Sequence, residues 1–84
     1  MIHKAAPSFW AAYRGLTPEI GKLADKCFEV LKDNPSHPSL RLKKTGRFWS
    51  ARVGLHHGAV SVEIPGGLLW IWIGDHDEYD RLIG

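Results

Sequence analysis

The chain has 84 residues, of which 44% are hydrophobic and four are tryptophan. This length allows one domain, residues 1–84, with a small core, and the composition excludes a disordered chain. No apolar run approaches the roughly 20 residues that a membrane-spanning helix needs, so we expect no membrane partner.

The chain contains one cysteine, Cys27, which excludes a disulfide within the chain and argues against a cysteine-based zinc site. The first ten residues include Lys4 and Pro7 but lack the apolar segment of a secretory signal. These features fit a reducing compartment, and we expect a cytoplasmic protein. The helical pattern around Cys27 favours a small core residue.

The formal net charge is only +2, but the charges are segregated along the chain. Basic residues cluster between Asp33 and Glu63, a stretch without any acid, whereas acids crowd the C-terminus. Such a block is a typical footprint for nucleic acid. A solvated loop and edge strand is the alternative, and composition does not distinguish the two. The basic block consists of Arg41, Lys43, Lys44, Arg47 and Arg52.

The first half of the chain has helical patterns. Residues 1–7 give only a weak signal for an edge strand or an arm. Ser8 is expected to cap a short helix whose apolar positions, from Phe9 to Leu16, share one face. Thr17-Pro18-Glu19 predicts the start of a second helix. This helix should end near residues 33–34, because the following proline disfavours helical geometry, and the two helices predict an αα-hairpin.

The second half of the chain changes to a period of two. Alternation from Phe48 to Leu55 predicts a half-covered strand with Arg52 and His56 on its open face. Residues 59–64 and the apolar run Leu68–Ile73 follow as further strands, so the three should form an antiparallel meander. The order of elements predicts an α+β fold in which the helices cover one sheet face.

The apolar run and its polar continuation also carry two local predictions. Trp70 and Trp72 have the same parity as Leu68, which favours core positions over a base-stacking platform. Asp75 and Glu78 are three residues apart and predict a capping box that opens a short helix to residue 82.

The polar residues fit metal-free cleavage of RNA. That reaction needs a base for the 2′-hydroxyl proton, an acid for the leaving oxygen, and cations for the phosphate charge. His76 and Tyr79 are three residues apart, on one side of a helical turn; for Tyr79, packing in the core is the alternative. A metal site from His56, His57, Asp75 and His76 is disfavoured by the adjacent histidines. The candidates for the cleavage site are His56, His57, His76, Tyr79, Arg52, Lys43, Lys44 and Arg47.

Over nearly its whole length the chain resembles the RelE/ParE superfamily of type II toxin–antitoxin toxins, particularly the RelE/HigB-like members. Each motif is weak alone, and their order and spacing carry the resemblance. The motifs are Phe9-Trp10 with Tyr13 before Leu16-Thr17-Pro18, the segment 34–40 with Lys43-Lys44, the segment 49–56, and the segment 72–82.

The resemblance implies an αα-hairpin on a small twisted antiparallel sheet and a cognate antitoxin that forms a hetero-oligomer with the toxin. RelE-like members cut mRNA on the ribosome without metal or other cofactor, whereas ParE-like members inhibit DNA gyrase. Lys43, Lys44 and Arg52 match basic positions of the family, and His76 with Tyr79 match its C-terminal polar pair. We therefore expect Arg52 and the basic block to bind phosphate.

We expect His76 and His56 to transfer protons, and Tyr79 to position or activate the nucleophile. One departure from the family pattern is Gly58, because relatives usually have an arginine there that contacts phosphate. The missing cation would cost ~2–4 kcal/mol of transition-state stabilisation. The resemblance thus implies an mRNA endoribonuclease that Gly58 attenuates. The alternative is a non-catalytic protein, either a ParE-like gyrase inhibitor or an inactive homologue that only binds its antitoxin.

Overall fold

The structure, a computed structural model, describes residues 1–83, so Gly84 of the predicted domain lies outside it. Within this range the fold is α+β, with three α-helices and one five-stranded mixed sheet. No helix in residues 1–83 is long and apolar enough to cross a membrane. The helices are α1 (Pro7–Tyr13), α2 (Pro18–Asp33) and α3 (His76–Ile83), and a 3₁₀ turn covers Pro38–Leu40.

The sheet has the order β1-β5-β4-β3-β2 across residues 1–83. The predicted meander forms its centre, but the expectation of a purely antiparallel sheet is wrong. β1 runs parallel to β5, and β2 adds an antiparallel strand at the other edge. Strands of three or four residues have too little periodicity to be recognised in the sequence. The strands are β1 (Ile2–Ala5), β2 (Lys43–Thr45), β3 (Phe48–Val53), β4 (His57–Ile64) and β5 (Gly67–Asp75).

The helical region differs from the expected N-terminal αα-hairpin because a strand comes first and α1 packs chiefly on β5. Ser8 does not cap α1. Its hydroxyl instead donates to the carbonyl oxygen of Ile71 at 2.7 Å, and the helix begins at Pro7. The start of α2 is as predicted, with Thr17 Oγ1 accepting from the backbone N–H of Ile20 at 3.4 Å.

A β-bulge in β5 decides which tryptophan enters the core. Val60 of β4 pairs with Trp72 while the next residue, Ser61, pairs with Trp70, so Ile71 is an extra residue in β5. Trp70 is 5% exposed and packs in the core beneath the helices. The core position expected for Trp72 is wrong, because the bulge reverses the alternation and places Trp72 on the face opposite the helices.

The core lies between the sheet and the two helices α1 and α2. Cys27 packs against it, as predicted, and burial raises the pKa of its thiol. Leu55, expected to point inward, is 77% exposed because β3 ends at Val53 and the chain turns at Gly54 with a φ of 66°. The buried core residues are Ala24, Leu31, Leu40, Ala51, Val53, Ala59, Leu68, Trp70 and Ile73.

His3 of β1 is tied to this core through Trp70. The indole Nε1 of Trp70 donates to Nδ1 of His3 at 3.2 Å, so the neutral His3 ring carries its proton on Nε2. That Nε2 atom is buried and has no hydrogen-bond partner in residues 1–83. Burial, and secondarily the N-terminal ammonium group, lower the pKa of His3 below its usual 6.5. Protonation of His3 therefore opposes folding.

We predict that His3 makes the protein less stable in mild acid. Its pKa is lower in the folded than in the unfolded state, so its contribution is complete above pH 6.5 and is lost as the pH falls below that value. His3→Gln keeps an acceptor for Trp70 without titrating. Thermal unfolding followed by circular dichroism should show a smaller fall in Tm from about pH 8 to about pH 5 for His3→Gln than for the unmodified protein.

The matched control for this prediction is His56→Gln, since the His56 side chain is exposed. This control should retain the pH dependence of the unmodified protein. Identical slopes of Tm against pH for His3→Gln and the unmodified protein would contradict the prediction.

Candidate nucleic-acid interface

The end of β5 and the start of α3 position the predicted polar pair. Asp75 Oδ1 accepts from the backbone N–H of Glu78 at 2.9 Å, which confirms Asp75 as the helix cap. The backbone N–H of His76 donates to the carbonyl oxygen of His56 at 2.8 Å and ties α3 to the turn before β4. The rings of His76 and Tyr79 meet edge to face with centroids 5.6 Å apart. The two side chains therefore share one side of the first turn of α3.

This helical turn borders an open cleft of about 600 Å³ at the end of the sheet. Strands β3 and β4 form its floor, and the segment after the 3₁₀ turn forms the opposite wall. Arg52 pairs with Gly58 across the floor, and Gly58 pairs with Gly74. The residues that line the cleft are Pro38, Arg41, Leu42, Lys43, Ser50, Ala51, Arg52, His57, Gly58, His76 and Tyr79.

Gly58 lies beneath the ring of Tyr79. A Cβ atom at position 58 would be 3.5 Å from Cδ2 of Tyr79 and 3.4 Å from the carbonyl oxygen of Ala51. These are ordinary van der Waals distances, so a side chain can be accommodated at position 58 and no steric clash requires a glycine there. Gly58 leaves the floor of the cleft without a side chain between Arg52 and Tyr79.

Six of the nine predicted site residues line the cleft: Arg41, Lys43, Arg52, His57, His76 and Tyr79. Among them is His57, a candidate although its parity in the sequence is opposite to that of His56. His57 is the first residue of β4, where it pairs with Val53 of β3 and Asp75 of β5, and a strand end is not confined to one face.

The other three predicted residues lie outside the cleft lining. Lys44 Nζ forms an ion pair with Glu63 at 3.1 Å. Arg47, in the turn between β2 and β3, lies over the ring of Phe48 at 5.7 Å. His56 is exposed, and only its backbone oxygen is engaged, by the N–H of His76.

The cleft is electrostatically one-sided. Arg41, Lys43 and Arg52 line it without any carboxylate in the lining. The ion pairs found in residues 1–83 involve other lysines, Lys32 and Lys44. By contrast Glu63 sits beside Lys44, and its pKa is lowered by the hydrogen bond from the Trp49 indole and then by Lys44. The positive charge of the cleft is therefore available to an anionic ligand.

Arg41, which lies on the wall of the cleft after the 3₁₀ turn, has an unusual backbone conformation. Its φ of 46° is positive, the only such value for a non-glycine residue in the described chain. Its N–H donates to the carbonyl oxygen of Pro38 at 3.3 Å and closes the 3₁₀ turn. A left-handed arginine costs conformational energy, which is typical of residues held for a functional geometry.

The cleft does not have the donor set of a metal centre. Among residues 1–83 no three histidine, cysteine or carboxylate side chains lie close enough together to hold a metal ion. The polar side chains of its lining are cations, imidazoles, one phenol and the Ser50 hydroxyl.

The architecture is that of the RelE-type toxin structures. A chain of the RelB–RelE antitoxin–toxin complex from Methanococcus jannaschii superposes with a TM-score of 0.74 at 14% identity, covering 96% of this chain and 99% of that one. A copper-bound mutant toxin from Helicobacter pylori gives 0.59 at 16% identity, with 90% and 94% coverage. These identities establish a common fold.

A conserved hypothetical protein from Helicobacter pylori also superposes, with a TM-score of 0.55 at 18% identity over 94% of this chain and 98% of that one. No protein-family model matches the sequence, and a search of curated proteins finds no match. The similarity therefore lies in the arrangement of helices and strands along nearly the whole chain.

We predict that the cap at Asp75 holds α3, and with it the His76–Tyr79 pair, on the sheet. Asp75→Ala removes the acceptor for the Glu78 N–H and should lower the free energy of unfolding by about 1 kcal/mol. Asp75→Asn keeps an acceptor and should cost less. Urea denaturation measures both variants. Equal stabilities of the alanine variant and the unmodified protein would contradict the assigned cap.

Proposed function

We propose that this protein is the toxin of a type II toxin–antitoxin pair, acting as a metal-independent endoribonuclease on mRNA and thereby inhibiting translation. The observation that carries the proposal is the cleft in which Arg41, Lys43 and Arg52 face the His76–Tyr79 pair without an opposing carboxylate. Such a site matches the phosphate backbone of RNA in charge and supplies titratable groups beside it. The shared fold with a RelB–RelE structure supports the same conclusion.

In the proposed reaction, one group removes the proton from the 2′-hydroxyl, which attacks the adjacent phosphorus, and another protonates the departing 5′-oxygen. His76 performs one proton transfer, and Tyr79 positions or activates the attacking hydroxyl. We assign the second transfer to His57 in place of His56, because His57 lines the cleft. Arg52 and Lys43 offset the charge that builds up on the pentacoordinate phosphate.

The proposal includes two partners. The substrate is mRNA on the ribosome, and a cognate antitoxin forms a hetero-oligomer with the toxin in the cytoplasm. A protein named as the antitoxin accompanies RelE in the Methanococcus jannaschii structure. The cationic cleft favours an acidic segment of such a partner, because a negatively charged chain would neutralise Arg41, Lys43 and Arg52.

A second candidate function is an attenuated or inactive toxin that binds its antitoxin without cutting RNA. Gly58 favours this candidate because it leaves the centre of the cleft without a side chain, next to Tyr79. A cation at this position would lie between Arg52 and the His76–Tyr79 pair. Its absence lowers the expected activity by the contribution of one charge stabiliser.

We predict that induction of the protein in bacteria arrests translation and that His76→Ala removes this effect. His76 is exposed at the start of α3, so the substitution should leave folding intact while it abolishes proton transfer. Pulse-labelling of protein and DNA synthesis after induction measures the result. Lys22→Ala, on the exposed side of α2 and outside the cleft lining, is the control and should arrest translation like the unmodified protein.

Other outcomes of this experiment identify the alternatives. Arrest of DNA synthesis with continued translation would indicate a ParE-like gyrase inhibitor. Full toxicity of folded His76→Ala would remove His76 from the proposed site. Absence of any arrest, with antitoxin binding retained, would indicate the inactive homologue.

We predict that Gly58→Arg increases RNA cleavage by up to ~10²-fold, because it adds a cation at the centre of the cleft. The backbone accepts a side chain at this position, as the contacts to Tyr79 and Ala51 show. Cleavage of a labelled mRNA by purified protein measures the change. Gly58→Leu fills similar space without charge and should not increase the rate. An equal rate for the arginine variant and the unmodified protein would contradict the attenuation by Gly58.

A further inference from the structure

Trp72 is an aromatic side chain on the sheet face that no part of α1 or α2 covers. The bulge at Ile71 turns it away from the core, whereas Trp70 and Ile73 on either side of the bulge are buried beneath the helices. Trp72 retains partial exposure, although Val60, its partner in β4, is 0% exposed. The indole is therefore only partly covered by the protein.

Gly74 determines how this indole lies. A Cβ atom at position 74 would overlap the six-membered ring of Trp72, with Cη2 only 2.7 Å away. The ring therefore lies against the backbone of Gly74, in space that any other residue would fill. A bulky ring supported in this way by backbone presents a fixed apolar surface.

This surface borders the cationic cleft. Gly74 pairs with Gly58, and Gly58 pairs with Arg52, so three neighbouring strands contribute one row. Two strand spacings, about 10 Å, separate the Gly74 and Arg52 backbones. Tyr79 covers Gly58 in the middle of the row. Along this row an indole, a phenol and a guanidinium group follow one another.

We infer that Trp72 is a stacking platform for a nucleobase of the single-stranded RNA whose phosphates bind at Arg52 and Lys43. The inference rests on the proposed function and identifies how the same site gains affinity from the bases. Single-stranded nucleic acid is commonly held by a basic groove that follows the backbone, together with aromatic rings on which bases stack. Since every base has a π face, Trp72 would add affinity with little sequence preference.

The test compares two oligonucleotides of equal length and charge, measured by fluorescence anisotropy. One carries bases and 2′-O-methyl groups, which prevent cleavage, and the other has the same backbone with abasic positions. Trp72→Leu should weaken binding of the base-containing oligonucleotide by roughly 5- to 100-fold and leave the abasic one unchanged. Trp72→Phe should retain most of the affinity. Trp10→Leu is the control, because Trp10 is a tryptophan that is 46% exposed on α1. This variant should bind both oligonucleotides as the unmodified protein does.

Tryptophan fluorescence gives a second measurement that does not depend on the folding of the leucine variant. Stacking of a base on Trp72 should quench the emission of the unmodified protein when the base-containing oligonucleotide binds. In Trp72→Phe this quenching should largely disappear while binding remains. Equal quenching in the two proteins would overturn the inference.

The remaining outcomes separate this inference from the proposed function. If the unmodified protein binds both oligonucleotides equally, RNA binding stands and stacking on Trp72 is wrong. If folded Trp72→Leu loses equal affinity for both oligonucleotides, the inference is also overturned, since that result would indicate a change in the cleft as a whole. If the unmodified protein binds neither oligonucleotide, the proposed function fails and the inference fails with it.

Discussion

The pairing of β5 with its two neighbours is the constraint on which the rest of the structure depends. On one side β5 holds β1 in parallel, and on the other it pairs with β4. Its apolar side chains would form an ordinary central strand if the pairing were regular. The extra residue at Ile71 divides it, so the first half supplies Trp70 to the helix-covered core and the second half turns Trp72 to the opposite face. The bulge thus gives Trp70 a role in the core and Trp72 a place on the sheet surface, although the two residues are only two positions apart.

A second consequence concerns the two glycines that face each other across β4 and β5. Gly58 and Gly74 are paired, and each lies beside an aromatic ring, Tyr79 for the first and Trp72 for the second. A strand interior loses stability with glycine because side-chain packing is lost. Here rings from other positions occupy the space and recover part of that loss. Each glycine thus lets an aromatic ring approach the strand backbone, and planar rings of this kind can stack with bases.

The features of this fold that could be predicted from the sequence are those with a local sequence signal. Thr17-Pro18 and the 3.6-residue spacing after it fix α2 without reference to the rest of the chain, and Asp75 caps α3 through a residue three positions away. The bulge at Ile71 cannot be found in this way, because it is a mismatch in length between two paired strands. β1 and β2 likewise exist as strands only through their neighbours.

The candidate site shows the same division between local and distant information. The proximity of His76 and Tyr79 follows from helical spacing, but composition alone gave all five cations of the basic block equal weight. The folded structure distinguishes them. Glu63 of β4 forms an ion pair with Lys44, whereas Lys43, one residue earlier, lines the cleft. Alternation along β2 thus assigns adjacent lysines to opposite faces, one neutralised and one free to meet phosphate. The cleft therefore depends on which cations lack an acid beside them, more than on the number of cations in the block.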